Sequence, residues 1–188
     1  MSFCSLRMTG SAKLVNNSMG STLIISGGIL LGCVIALSWF AGSDAPYVPT
    51  KMDQIRKILK LAGAKKGKKF YELGSGDGRV VFAAAKLGAQ SIGIEQSWLR
   101  IWYSRYQAWR LALHLKGVIV NFYHNNIFNR NYTDADIVYI YLLRKGVQKL
   151  ENKLRKELKK GALVITQTYH FSNWKPFKKG GDFWFYRA

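Results

Sequence analysis

Residues 70–79, FYELGSGDGR, close an apolar stretch with an acid, Glu72, two positions ahead of a Gly-x-Gly-x-Gly run, Gly74, Gly76 and Gly78, with Ser75 and Asp77 between the glycines. A glycine-rich turn between a strand and a helix brings backbone close to a bound ligand because no Cβ intervenes. A dinucleotide fingerprint needs its third glycine three positions after the second, and Arg79 stands there. An acid at the strand tip repels a pyrophosphate and attracts the ammonium and sulfonium charges of S-adenosylmethionine. A second acid, Glu95, lies 23 residues on, where such folds set a carboxylate at the end of the second strand to accept from both ribose hydroxyls. After the third strand, Asn126 offers a side-chain carbonyl to an adenine amino group, and Ile127 or Phe128 offers an apolar face to the ring. An ordinary tight turn or an NAD site is the alternative for the glycines, and a plain Asn-rich turn for residues 124–128.

The elements that must position these groups are read from periodicity. Met52, Ile55, Ile58 or Leu59, and Ala62 follow a helical spacing with Gly63 as the stop. Strands are expected over 69–73, 91–95, 118–123, 137–143, 162–168 and 183–187, with helices over 79–87, 97–115 and 146–159 between them. This alternation specifies an α/β fold, a doubly wound, mostly parallel Rossmann-like sheet, in one domain over residues 51–188. On the helix from Ser97, the spacing of Leu99, Trp102, Tyr103, Tyr106, Trp109 and Leu113 reads as a core-facing stripe. Its interleaved arginines leave RNA stacking as the other reading.

The chain has 188 residues, with 29 Lys and Arg against 10 Asp and Glu. Disorder as the main state is excluded by 48% apolar content. Residues 1–43 carry only Arg7 and Lys13, so residues 44–188 hold 27 basic and all 10 acidic residues, net +17. Nucleic acid, an anionic lipid surface and an acidic protein are the partners such a charge suits. The basic run Lys145 to Lys160 reads as a solvated helix face that also suits anionic headgroups. Cys4 and Cys33 cannot build a zinc site or a disulfide framework, and no metal is expected.

Residues 14–43 carry no formal charge, and the twenty from Ser21 to Phe40 span about 30 Å as a helix, the thickness of a bilayer core. They read as one transmembrane helix with Trp39 at the interface, preceded by an N-terminal segment 1–20 and followed by a linker over 41–50. A cleaved signal peptide is the alternative, though its apolar core is shorter. Lys51, Arg56, Lys57 and Lys60 outnumber Arg7 and Lys13, which favours the domain on the cytoplasmic side. The basic, acid-free first 13 residues also suit a mitochondrial presequence and an inner-membrane location. Gly28, Gly32 and Ala36 form a small-residue stripe that suits a homodimer contact.

Over 46–188 the sequence resembles the small, membrane-anchored, archaeal-type protein-lysine methyltransferases. Four stretches carry the likeness: PYVPT at 46–50, residues 72–80, DIVYIYLL at 136–143 running into KLENKLRKEL at 149–158, and FSNWKP at 171–176. The mitochondrial relatives of that family modify the ATP synthase c-subunit and the adenine nucleotide translocase. The resemblance implies S-adenosylmethionine-dependent methylation of a lysine ε-amine on a membrane-associated protein. The chain departs from the family in having Asn126 where an acid is common, and in its high basic charge.

Lysine methylation needs a neutral amine held in line with the methyl donor, although a free lysine is protonated at neutral pH. At the carboxyl ends of the strands, Tyr141 and Trp174 are the candidates to line a lysine channel and His170 the candidate general base. Tyr139 is the weaker candidate, because strand alternation is expected to point it elsewhere. Methylation of RNA, of a lipid or of a small molecule are the rival activities. The Asn/Asp-Pro-Pro-Tyr of amino-directed base enzymes is absent, Tyr141, Leu142 and Leu143 standing there. A non-catalytic membrane adaptor that binds S-adenosylmethionine is a third option.

Overall fold

A computed structural model describes residues 11–40, 51–114 and 117–188. The 41–50 linker and the PYVPT stretch lie outside the described residues. The chain divides into two units, residues 1–39 and 40–188.

The helix α1, Ser11–Phe40, makes up the described part of the first unit and ends at the boundary residue. Its window Gly20–Leu37 is long and apolar enough to cross a membrane. Every described side chain from Ser21 to Leu37 is exposed, and a Cβ added to Gly28 or Gly32 would meet nothing within 4 Å. Helical backbone starts ten residues ahead of the segment expected from apolarity alone.

The second unit begins with α2, Met52–Leu61, followed by β1, Lys69–Leu73, α3, Arg79–Lys86, and β2, Gln90–Glu95. Then come α4, Trp98–His114, β3, Val120–His124, β4, Ile137–Ile140, and α5, Arg144–Glu157. The chain closes with β5, Leu163–Gln167, β6, Lys178–Gly180, and β7, Phe183–Arg187. The sheet order is β3-β2-β1-β4-β5-β7-β6. β1 pairs in parallel with both β2 and β4, while β7 runs antiparallel to β5 and to β6. The winding reverses between β1 and β4, and open α/β sheets bind ligands at the carboxyl ends of the strands flanking such a switch.

Two cores sandwich the sheet. On one face Tyr71, Leu73, Val138, Ile140 and Val164 meet Val147, Leu150 and Leu154 of α5. On the other, Phe70, Ile137, Tyr139 and Ile165 meet Ile55, Ile58 and Leu59 of α2 and the small residues Val80, Ala83 and Ala84 of α3. Both faces are covered, which is why these strands read as continuous apolar runs.

Three expectations are corrected. β4 ends at Ile140, so Tyr141 to Leu143 form the link into α5, which starts at Arg144. β6 was not expected, because Lys178-Lys179-Gly180 is fully exposed and carries no apolar signal. The largest departure is α4: its aromatic stripe faces solvent, with Trp102 71% and Trp109 60% exposed, while Arg100, Ile101 and Ser104 are buried.

Candidate active site

The site is built where β1 and β2 end side by side, Leu73 being in register with Ile94. The glycine loop folds back on β2: the N–H groups of Gly74 and Ser75 both donate to the Ile94 carbonyl at 2.9 Å. Gly74, Gly76 and Gly78 have φ of +81°, +55° and +78°, the left-handed region that glycine enters without strain. A Cβ on Gly74 would come to 2.9 Å from Leu142 Cδ2, and one on Gly78 to 2.5 Å from Phe122 Cζ. The loop is therefore closely fitted on its protein side.

Glu95 is 4% exposed and is the pivot of the loop. Its Oε2 accepts the Gly76 N–H and its Oε1 the Ser97 N–H, each at 2.9 Å. Arg100 lies behind it, Nη1 at 3.7 Å from Oε1. A carboxylate so held is oriented, and its remaining lone pairs can accept from hydroxyls. The Ser75 hydroxyl is buried without a hydrogen-bond partner among the described residues.

Glu72 lies beneath the loop, its Oε2 accepting the Val81 N–H at 3.2 Å in the first turn of α3. Burial pushes its carboxyl well above the usual range, and the neighbouring Asp77 adds to the shift. Asp77 is held by Arg79, whose Nη2 lies 2.6 Å from Oδ2. At the β3 end, Asn126 Oδ1 accepts the Phe128 N–H at 2.9 Å, so the turn alternative describes this carbonyl's local role. Ile127 packs against the α5-side core, and its carbonyl accepts from Tyr132 Oη at 2.7 Å. Trp98 and His124 stack with centroids 3.8 Å apart beside the ends of β2 and β3.

The three catalytic candidates are placed separately. Tyr141 packs against the α2-side core and Trp174 against the α5-side core. Trp174 stacks on Phe171 at 5.4 Å and lies 5.5 Å from the Tyr186 ring. His170 is exposed, with Nδ1 2.8 Å from the Phe171 carbonyl. A carbonyl only accepts, so Nδ1 carries the proton and Nε2 is the basic nitrogen of the neutral ring. Alternation does not separate Tyr139 from Tyr141, because both face the α2-side core. Burial does: Tyr139 is 1% exposed and its hydroxyl donates to Gln167 Oε1.

Sequence reasoning missed four supporting residues. Gly93 lies mid-strand in β2, and a Cβ there would approach Phe122 Cδ1 to 2.6 Å and Ser75 Oγ to 2.7 Å. A glycine inside a strand was the available signal for both Gly93 and Phe122. Arg100 reads in the sequence only as one of the arginines interleaved with the aromatic stripe. Glu151, within the basic run of α5, is 3% exposed and accepts the N–H groups of Ser172 and Asn173 at 2.9 Å each.

The family model described as the ANTKMT methyltransferase domain matches residues 72–178. The lysine N-methyltransferase of the ATP synthase c-subunit from Xenopus laevis is 37% identical over 140 residues, covering 73% of this chain and 60% of that protein. The protein-lysine N-methyltransferase of Saccharolobus islandicus (strain REY15A) is 31% identical over 133 residues, covering 70% of this chain and 81% of its own length. Among solved structures, an RNA methyltransferase from Salinibacter ruber in complex with S-adenosyl-L-homocysteine superposes with a TM-score of 0.66 at 30% identity. That superposition covers 74% of this chain and 92% of the other. The chain spans 60% of the Xenopus laevis relative's length. With the match running from Glu72 through the glycine loop, Glu95 and Trp174 to Lys178, the chain belongs to the ANTKMT methyltransferase domain family.

Proposed function

We propose that this chain is a membrane-tethered, S-adenosylmethionine-dependent methyltransferase that acts on a lysine ε-amine of a membrane-associated protein. The observation that carries the cofactor is the buried Glu95 carboxylate at the carboxyl end of β2, fixed against the Gly76 amide of the loop that follows β1. The residues fit the group: Glu95, oriented by the Gly76 and Ser97 amides, keeps lone pairs for hydroxyls, and the buried Ser75 hydroxyl, without a partner among the described residues, lies in the same loop. Glu95 would accept from the ribose hydroxyls, Asn126 and Ile127 would border the adenine, and Glu72 would offset the cofactor's positive charge. When bound, the cofactor supplies an electrophilic methyl group on a sulfonium.

The chain's own residues position the acceptor and manage its proton. Tyr141, directly beyond the carboxyl end of β4, would give the lysine stem a surface that favours a neutral amine over an ammonium, with Trp174, packed on the α5 side against Tyr186, as the second candidate from the opposite face. His170 Nε2 takes the proton that the amine loses. The lysine acceptor is supported by the names of the relatives, which include the adenine nucleotide translocase lysine N-methyltransferase of Mus musculus at 30% identity. The tether is supported by α1, whose apolar window has the length of a bilayer core. Enzyme and substrate confined to one plane meet at a higher effective concentration.

The test is incubation of the full chain and a Glu95→Ala variant with methyl-labelled S-adenosylmethionine and membranes lacking the protein. Label is expected in a protein band, on lysine, and lost in the variant. Label confined to RNA or lipid extracts would overturn the lysine reading and leave the cofactor site standing. Cofactor binding without turnover on any fraction would favour an adaptor.

A further inference from the structure

On α4, Trp98, Trp102, Tyr106 and Trp109 recur at helical spacing along three turns, about 16 Å of helix, and each is more than half exposed. Their opposites, Arg100, Ile101 and Ser104, occupy the core side, where Ser104 Oγ donates to the Gly76 carbonyl at 3.3 Å. The helix is thus anchored to the glycine loop by small and polar residues and turns its large rings outward. An exposed aromatic stripe of this length marks an interaction surface.

The residue types select the occupant. Trp and Tyr, rather than Leu and Ile, belong at a membrane–water boundary, where a flat apolar body sits at the headgroup level and its N–H or O–H meets water. Residues 98–114 contain no acid. Arg100 is buried against Glu95, and the exposed Arg105 donates from Nη2 to the Phe122 carbonyl. The charge flanking the stripe comes from Arg110 and, across a cavity of about 420 Å³ between α3 and α4, from Lys86. Asp77, the acid lining that cavity, is paired with Arg79. In the basic run 145–160, Lys159 pairs with Asp136, Lys153 with Glu157 and Lys149 lies over the Phe128 ring, and the exposed Lys145, Arg155, Lys156 and Lys160 stand on a stretch that holds no Trp, Tyr or Phe.

We propose that the Trp98, Trp102, Tyr106 and Trp109 face of α4, with Lys86 and Arg110 beside it, docks the catalytic unit on an anionic bilayer surface. Eleven residues of sequence, 41–51, separate α1 from α2, so the proposal rests in part on the tether reading. Because α4 holds the glycine loop, docking through it fixes how the cofactor site faces the membrane plane.

The full chain carrying Trp39→Phe is reconstituted into phosphatidylcholine vesicles with and without phosphatidylglycerol, and tryptophan emission is read with spin-labelled lipid quenchers. A blue shift and quenching are expected with phosphatidylglycerol, weakened by salt, lost in Trp102→Ser/Trp109→Ser, and reduced in Lys86→Glu/Arg110→Glu. Unchanged melting of the variants shows that the fold is retained. Emission that ignores lipid composition overturns the proposal. Equally fatal would be emission shifted instead by added RNA and lost in Trp102→Ser/Trp109→Ser, which would make the face a nucleic-acid surface. Alkaline carbonate separates the two readings. A chain retained on the vesicles but unshifted overturns docking and leaves the tether, and a chain extracted yet shifted on rebinding leaves docking and overturns the tether.

Discussion

Glu151 Oε1 accepts the Asn173 N–H at 2.9 Å, joining the middle of α5 to the segment that carries Trp174. The same carboxylate accepts from Ser172, and Phe171 donates its N–H to Tyr186 Oη at 3.1 Å, so residues 171–173 are pinned from two elements. Replacing Glu151 by Ala strands those amides at a cost of about 1 to 3 kcal/mol. Expected are a lower melting temperature and reduced turnover with cofactor affinity retained, because the glycine loop is untouched. Glu151→Gln, which keeps one acceptor oxygen, should lose less of both. Calorimetry with the cofactor alongside initial rates checks this, and a parallel fall in affinity and rate would refute it.

Gly93 and Phe122 form a packed pair whose energetics should be non-additive. A methyl group at Gly93 collides with the Phe122 ring and with Ser75 Oγ, so Gly93→Ala should destabilise the fold by about 1 to 3 kcal/mol. Phe122→Val opens a cavity and is also destabilising by itself. The double variant should be less damaged than the sum, since the valine vacates the space the new methyl takes. A double-mutant cycle in urea measures the coupling, and strict additivity would show that the contact is not the constraint.

Elements whose signal is local were legible in the sequence, and those decided by a distant neighbour were not. The acid and glycines at 72–78 announce a strand, a left-handed turn and a helix in ten residues, and Glu95 lies at the end of β2 as its spacing implied. The orientation of α4 was hidden because apolar periodicity counts Trp102 and Trp109 as core. The side that must approach the glycine loop selects instead the small Ser104 and the ion-paired Arg100. Glu151 was hidden among lysines, since only the return of residues 171–173 reveals its role. β6 exists through its pairing with β7, a partner no window of three residues contains.

Asp136 ties the start of β1 to the basic segment that follows α5. Its Oδ2 accepts the Lys69 N–H at 2.8 Å and its Oδ1 lies 2.9 Å from Lys159 Nζ. Although burial works the other way, these partners with Lys68 hold its carboxyl below the usual range. A depressed acid stabilises the fold above its unfolded value and loses that contribution as pH falls through its folded value. Asp136→Asn should therefore destabilise the fold at neutral pH and flatten the decline below about pH 4. Melting curves from pH 3 to 7 read this directly, and an unaltered acid limb would refute it.

Glu72 carries the opposite sign. Its carboxyl is raised above the ordinary value of 4.5 by burial first and by Asp77 second. Between those two values the folded state holds a proton that the unfolded chain has released, so folding stability falls as pH rises through that window. Glu72→Gln keeps an oxygen for the Val81 N–H and removes the ionisation that burial opposes. The variant should melt higher than the parent at pH 7, with the advantage vanishing below about pH 4. If Glu72 offsets the cofactor's positive charge, the same variant should bind S-adenosylmethionine more weakly while losing less affinity for an uncharged adenosine fragment. A variant that gains stability yet binds both equally well would confine Glu72 to the packing beneath the loop.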